Sequence, residues 1–454
     1  MLFYYLITIR KNIIKRKTVG LFYFLSMYYK IMTQRVRSRS NKKTRKNISS
    51  SSGWITVKVA GTPYEMGYQH GSILCKQIEK ARKVMESLVK KVYKISLSDY
   101  VSKCVSLVKE TDEWKNIFDE LRGIRDGCSS AISLDELIAW NMYLSMDEIL
   151  NKSSDKEVQR CSAFIATGSK TVDGKILMAH NTHCDYASGF ISNIVMHVHP
   201  SAPDTFPFVM QTLPGLVCSS TDWFISESGI IGCETTISKI NYIPDFKKGV
   251  PYFFRIRKAM ETGKTLDDYV SIMMEQNAGD YACSWLFGDI ITGEIMRFEL
   301  GKKTHGIART EDGFFYGMNS AFNKELATKE TDDKSINDPT TINGSRNVRL
   351  NQLLNAKKLD LKYAKKILAD HYDCKEQIVR KGIRGICKHK ECEKGEDYKI
   401  AGTVDGKVTN ADMARKLKFI GRMGSSCGRV FLRKDYPNVP DCVENMPKYP
   451  WTTL

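Results

Sequence analysis

The sequence predicts an α+β protein whose helices come first and whose strands dominate from residue 161 onward. Two observations carry that reading. Apolar residues recur at helical spacing through residues 73–126, and period-two alternation takes over in the stretches after residue 161. A third bounds it: 454 residues with 42% hydrophobic content are enough for a sizeable core, in one large domain or two or three ordinary ones.

Charge is unevenly placed. The net charge is +18, and residues 1–50 carry thirteen Lys/Arg and no Asp/Glu, which leaves +5 for the rest. The basic character belongs to a leader, so the body has no electrostatic case for a specific nucleic-acid partner. The leader could contact anionic surfaces. Its apolar runs, residues 2–9 and 21–29, are each short of the ~20 residues a bilayer-spanning helix needs. Their order suits a signal or weak anchor without a cleavage site, or else a disordered basic extension. Thirteen scattered cysteines do not form a small disulfide scaffold, and a secreted or lysosome-like compartment and the cytoplasm both remain open.

Order begins at Trp54. Ile55, Val57 and Val59 alternate as a strand, and the stretch GTPYEMGYQHG, residues 61–71, is a turn into a helix with Pro63 in its first turn. Gly67 and Gly71 lie four apart on one helical face, which permits close packing. His70 is read as structural. Ile73, Leu74, Ile78, Met85 and Leu88 continue the helical pattern, as do Trp114, Ile117, Phe118 and Leu121. Ser133 and Glu136 form a capping box for a further helix. Residues 151–159 are polar and read as an exposed loop.

The stretch CSAFIATGSKTVDGKILMAHNTHCDY, residues 161–186, reads as a β-hairpin turning at Asp173-Gly174. That turn sets Val172 opposite Lys175 and Cys161 opposite Tyr186. His180, Asn181, His183 and Asp185 then return towards the cysteine. A thiol near an imidazole and a carboxylate is a nucleophile constellation. A buried structural cysteine explains the same residues.

The motif CSAF followed by MAHN-x-x-x-DY resembles the start of the mature chain in N-terminal-nucleophile (Ntn) hydrolases, within them the cysteine-type acyltransferase family (peptidase family C45) and the phospholipase B-like proteins. Residues 61–71, GTVDGKVT at 402–409, GSSCGR at 424–429 and MPKYPW at 446–451 extend the resemblance over residues 54–454. It implies a four-layer αββα Ntn-hydrolase sandwich with an N-terminal helical pro-segment. Residues 1–53 would be the leader, 54–160 the pro-segment and 161–454 the catalytic chain. It implies self-cleavage between Arg160 and Cys161. The freed α-amine, titrating near 7.7–8, would serve as base for the thiol.

By the same resemblance His180 and Asp185 position the amine or thiol, and Asn319 in FFYGMNSAF supplies an oxyanion donor. Ser345-Arg346 resembles a Ser-Arg pair of a related subgroup, the bile-salt and penicillin-V hydrolases, which implies that Arg346 sits by the nucleophile and favours the thiolate. Asn181, Thr235 and Thr236 are candidates for orienting nucleophile or substrate, although β-branched strand residues explain the threonines too. The substrate class implied is an acyl amide or ester, possibly of a lipid. Cleaved pro-segment and catalytic chain are partners of one another.

No cofactor or metal is expected. His197 and His199 share one face of a strand without a third ligand. Cys374, Cys387, His389 and Cys392 have metal-like composition but no second CxxC, so a disulfide or isolated thiols is the expectation. Two readings compete with the enzyme: an inactive Ntn-fold binding protein, and a nucleic-acid-associated protein acting through its leader.

Overall fold

The structure is a computed structural model describing residues 47–48, 51–129, 131–150, 161–220, 223–393, 401–436, 439 and 442–454. The basic leader to residue 46, the loop 151–160 and with it Arg160 lie outside the described residues. Residues 46–454 form one compact unit.

Strand β1 (Asn47–Ile48) and β2 (Ile55–Gly61) precede a long helix α1 (Pro63–Leu88). Thr62 caps α1, its hydroxyl taking the Glu65 N–H while the Glu65 carboxylate accepts from the Thr62 backbone, with Pro63 at the first position. Helices α2 (Leu97–Ser106), α3 (Lys115–Gly127) and α4 (Leu134–Asn141) follow, the last capped by Ser133 and Glu136. The paired glycines of α1 meet a second pair on α3. A Cβ on Gly67 would stand 2.0 Å from the Glu120 carbonyl oxygen, and one on Gly123 would stand 2.3 Å from that of Tyr64. The two helices touch backbone to backbone, which no larger residue allows. A Cys75–Cys128 disulfide clamps the same pair, closing a loop with a sequence separation of 53. A loop of that length contributes about 4 kcal/mol in the chain-entropy account.

From residue 161 come β3 (Ser162–Thr167), β4 (Leu177–Asp185), β5 (Ile194–Pro200), β6 (Phe208–Thr212), β7 (Phe224–Ser226) and β8 (Ile230–Thr236). Helices α5 (Tyr252–Thr262) and α6 (Leu266–Met274) lead to β9 (Cys283–Asp289), β10 (Ile295–Leu300), β11 (His305–Thr310) and β12 (Gly313–Gly317). Then come α7 (Ile342–Ala356), α8 (Leu361–Leu368), a small hairpin of β13 (Tyr372–Asp373) and β14 (Ile378–Val379), and finally β15 (Ala401–Asn410), β16 (Ile420–Met423) and β17 (Thr452–Thr453).

The fold is mixed α and β around two large sheets. One has nine strands in the order β1-β2-β5-β6-β7-β8-β9-β10-β11; the other has six, β12-β3-β4-β15-β16-β17. Strand β2 pairs parallel with β5, so β1 and β2, both ahead of residue 161, are built into a sheet made otherwise from later strands. Strands β3 and β12 contact β9 and β10 of the larger sheet, and β3 also contacts β8. Helices α1, α5 and α6 contact strands of the nine-stranded sheet, while α7 and α8 contact the six-stranded one.

The hairpin register differs from the expected one. Ser162 pairs with Asn181, whereas a turn at Asp173-Gly174 would pair it with Asp185. The strand ends at Thr167, and a 3-10 turn at Gly168–Lys170 with a bridge from Thr171 to Leu359 takes up the extra residues. The displacement is an even number of residues, so each side chain keeps its expected face. Cys161 therefore lies beside Thr182 rather than Tyr186.

Candidate active site

Cys161 immediately precedes β3 and is buried, 4% exposed. Its Sγ lies 3.9 Å from Glu234 Oε1, at the end of β8 in the other sheet, and the backbone N–H of His183 points at the sulfur. Burial, then the Glu234 charge, push the thiol well above its ordinary value. The thiol is thus held protonated, facing the Glu234 carboxylate. Glu234 is fixed in turn: Tyr281 donates to Oε1 at 3.0 Å, and Thr236 and Cys283 donate to Oε2 at 3.2 and 3.3 Å.

The carbonyl side of Cys161 is held by Arg346, in the first turns of α7. Its Nη1 donates to the Cys161 carbonyl at 2.9 Å and to Ser162 Oγ at 3.0 Å. Nη2 donates to the Met318 carbonyl at 2.6 Å, to Asn319 Oδ1 at 2.9 Å and to Asn343 Oδ1 at 2.8 Å. Asn319 follows β12 and has φ of 85°, a left-handed conformation that costs a non-glycine residue of order 1–3 kcal/mol and persists only where its surroundings impose it. They do so here through Arg346 on Oδ1, the Thr236 carbonyl accepting from Nδ2 at 2.8 Å, and Ser238 Oγ donating to its carbonyl at 2.7 Å.

His180 takes a different place from the expected one. Its Nε2 donates to the Glu234 backbone carbonyl at 3.0 Å, so it ties β4 to β8 and makes no hydrogen bond to the thiol. Burial and the nearby Lys407 keep the imidazole neutral. Thr182, two residues on, belongs to a buried network the sequence did not reveal. Lys407 donates to Asp405 at 2.6 Å, Thr182 at 2.9 Å and Gln211 at 2.6 Å, while Thr182 and Gln211 donate to Asp405. Both charges also act on the Cys161 thiol, Lys407 lowering and Asp405 raising it.

Other residues singled out from sequence go elsewhere. Asp185 is not brought to Cys161: its carboxylate caps a helical turn, accepting from Ser188 N–H at 2.9 Å and Oγ at 2.5 Å. Asn181 points to the opposite face of β4. There Nδ2 donates to the Leu368 and Ile386 carbonyls and Oδ1 accepts from Ser426, so its amide is consumed by packing. Thr236 touches Glu234, and Thr235 lies against Gly317, where an added Cβ would meet its hydroxyl at 2.1 Å. His70 accepts the Gly215 N–H at 3.0 Å, a structural bond.

Glu234, one position before Thr235, is the residue beside Cys161 that the sequence did not single out; it is 1% exposed in β8, and the only signal in the sequence is a charged residue following the apolar run Ile230–Cys233. The metal-like residues also regroup: the ligating atoms of His371, Cys387, His389 and Cys427 lie within 4.8 Å of one another, without Cys374 or Cys392. Among the described residues His197 and His199 join no such group.

No family model matches the chain. An uncharacterized protein of Archaeoglobus fulgidus is 25% identical over 259 residues, a match covering 52% of this chain and 41% of that protein. The chain thus spans less than half the length of the relative it matches. Among solved structures, a mutant and a variant of conjugated bile acid hydrolase from Clostridium perfringens are similar at TM-score 0.35 each. Their identities are 10% and 11%, covering 58% and 64% of this chain and 89% and 98% of theirs.

Proposed function

We propose that the protein is a self-processing cysteine Ntn hydrolase that cleaves or transfers an acyl group from an amide or ester. The supporting observation is the convergence on Cys161 of groups from three distant segments. Glu234 faces its sulfur, Arg346 holds its carbonyl, and Arg346 also anchors the strained Asn319.

In the uncut chain Glu234 takes the Cys161 Sγ proton, and the sulfur attacks the Arg160 carbonyl carbon. The amide nitrogen takes that proton as the C–N bond breaks, leaving a thioester. Water hydrolyses the thioester and frees the Cys161 α-amine. In the mature chain that amine takes the thiol proton and the sulfur attacks the substrate carbonyl. The second N–H of Asn319 Nδ2, with a backbone N–H, stabilises the oxyanion. The leaving amine or alcohol takes the proton back, and water or an amine acceptor resolves the acyl-thioester. Arg346 is a positioning residue here. The resemblance to phospholipase B-like proteins supports a lipid-like acyl group.

On this reading the architecture is the four-layer αββα sandwich, and residues 54–160 are a pro-segment that stays bound. Several contacts support retention across the cut: β2 pairing with β5, Trp140 Nε1 on the Pro214 carbonyl at 2.8 Å, and the buried Arg257–Glu120 ion pair at 3.0 Å. The burial of the Cys161 thiol favours a second reading, an inactive Ntn-fold binding protein.

Intact mass and N-terminal sequencing of the purified full chain, beside Cys161→Ala, test the proposal. Two fragments are expected from the wild type, one beginning at Cys161, and a single chain from the variant. An uncut wild type identical to Cys161→Ala, with a thiol inert to iodoacetamide, would establish the binding protein instead.

A further inference from the structure

The second cysteine centre lies on the other face of β4, away from the Cys161 thiol. We infer that His371, Cys387, His389 and Cys427 bind one zinc ion as a closed, structural Cys₂His₂ site. The inference does not rest on the proposed hydrolase. The four residues come from three separate segments: His371 after α8, Cys387 and His389 in the loop before β15, and Cys427 in the turn after β16.

Three observations carry it. Cys387 Sγ and Cys427 Sγ each lie 3.4 Å from the same atom, His389 Nε2. Tetrahedral zinc with Zn–S near 2.3 Å and Zn–N near 2.0–2.1 Å sets an N···S edge of about 3.6 Å, close to both. Second, hydrogen bonding alone does not satisfy the group. His389 Nδ1 lies 2.8 Å from Glu391 Oε1, so Nδ1 carries the proton and Nε2 offers one lone pair to two sulfurs. His371 faces the Cys427 thiol in the same cluster, its Nε2 shielded from solvent. A cation uses all four lone pairs at once.

Third, the outer shell is in place. A carboxylate on the far nitrogen of a ligating histidine orients the ring and raises its basicity. Glu391 fills that position and is itself held by Tyr186 OH at 2.8 Å and Arg429 Nε at 3.3 Å. Two thiolates and two imidazoles select zinc over the hard cations, and four protein ligands leave no open position. The ion would therefore staple three loops. Residues next to the ligands grip β4: the Ile386 carbonyl accepts from Asn181 and His183, and Ser426 donates to Asn181. This assignment replaces the expectation of no metal.

The test uses the full chain, purified without a metal-binding tag or chelator. Elemental analysis should find about one zinc per chain, equally in Cys161→Ala, Cys374→Ser and Cys392→Ser. Chelated protein refilled with Co²⁺ should show the intense visible bands of a tetrahedral site and a thiolate charge-transfer band. Cys427→Ala should lose both. Should that variant fail to fold, Glu391→Gln serves, with zinc affinity lowered about 10–100-fold in competition with a chelating dye. Folded wild type holding under about a tenth of a zinc per chain and giving no tetrahedral cobalt spectrum would overturn the inference. So would peptide mapping that finds Cys387 and Cys427 joined as a disulfide.

Discussion

The two faces of β4 make the most informative comparison in the molecule. His180 and Thr182 face the larger sheet, while Asn181 and His183 face the loops before β15 and after β16, because alternate residues of a pleated strand point opposite ways. On the first face the ionisable groups are matched within the protein: Asp405 lies against Lys407, and Glu234 accepts from Tyr281, Thr236 and Cys283. The Cys161 thiol lies against the Glu234 carboxylate. On the second face two thiols and two imidazoles converge within 4.8 Å of one another. Nearly the same residue types thus meet different partners: on the proposed reading a sulfur beside a carboxylate suits proton transfer, and sulfurs beside imidazoles suit a metal.

The largest effect should come from Glu234→Gln, which keeps the shape and removes the proton acceptor. Loss of a general base costs about 10²–10⁴-fold, so the Cys161-terminated fragment should appear that much more slowly while zinc content stays unchanged. A time course by mass spectrometry reads this, and an unchanged rate would mean that the thiol proton goes elsewhere.

Ser426→Ala probes the opposite face. It leaves Asn181 Oδ1 buried without its 2.5 Å donor, at about 1–3 kcal/mol. Denaturant unfolding should register that loss while the cleavage rate hardly moves. A cleavage defect as deep as that of Glu234→Gln would break the distinction between the faces.

The smallest effect sharpens the comparison by assigning the acid response. Burial and then Arg257 lower the His70 pKa to about 3. The folded state therefore disfavours protonation. The stability from neutral His70 is fully present above the unfolded value near 6.5 and is lost as pH falls from there towards 3. Between pH 7 and 5.5 this amounts to about 1 kcal/mol. His70→Gln, which can still accept from Gly215, should flatten that part of the pH–stability curve. An unchanged slope would move the acid response to another group.

Local elements were legible because their signals span a few residues. The capping box at Ser133, the close-packing glycines of α1 and the alternation of β2 all stand where the sequence puts them. Strand β15 was not legible. Residues 402–409 stand out in the sequence only as a motif of the resemblance, with no element assigned to them, yet the strand is buried between β4 and β16, its Asp405 and Lys407 compensating each other. The hairpin was found but its register was not, since the 3-10 turn at Gly168–Lys170 displaced the expected Asp173-Gly174 turn.

By itself, then, the sequence determined the helical first part, the strand-rich remainder, and a cysteine at the head of a hairpin. Periodicity, caps and turn residues act over one or two turns of chain and need no partner. Only the tertiary structure decided what surrounds that cysteine. Glu234 and Arg346 reach Cys161 across 73 and 185 residues, and His389 meets Cys427 across 38. Such meetings follow from which strands pair and which faces pack, and that is settled by burying the whole core at once.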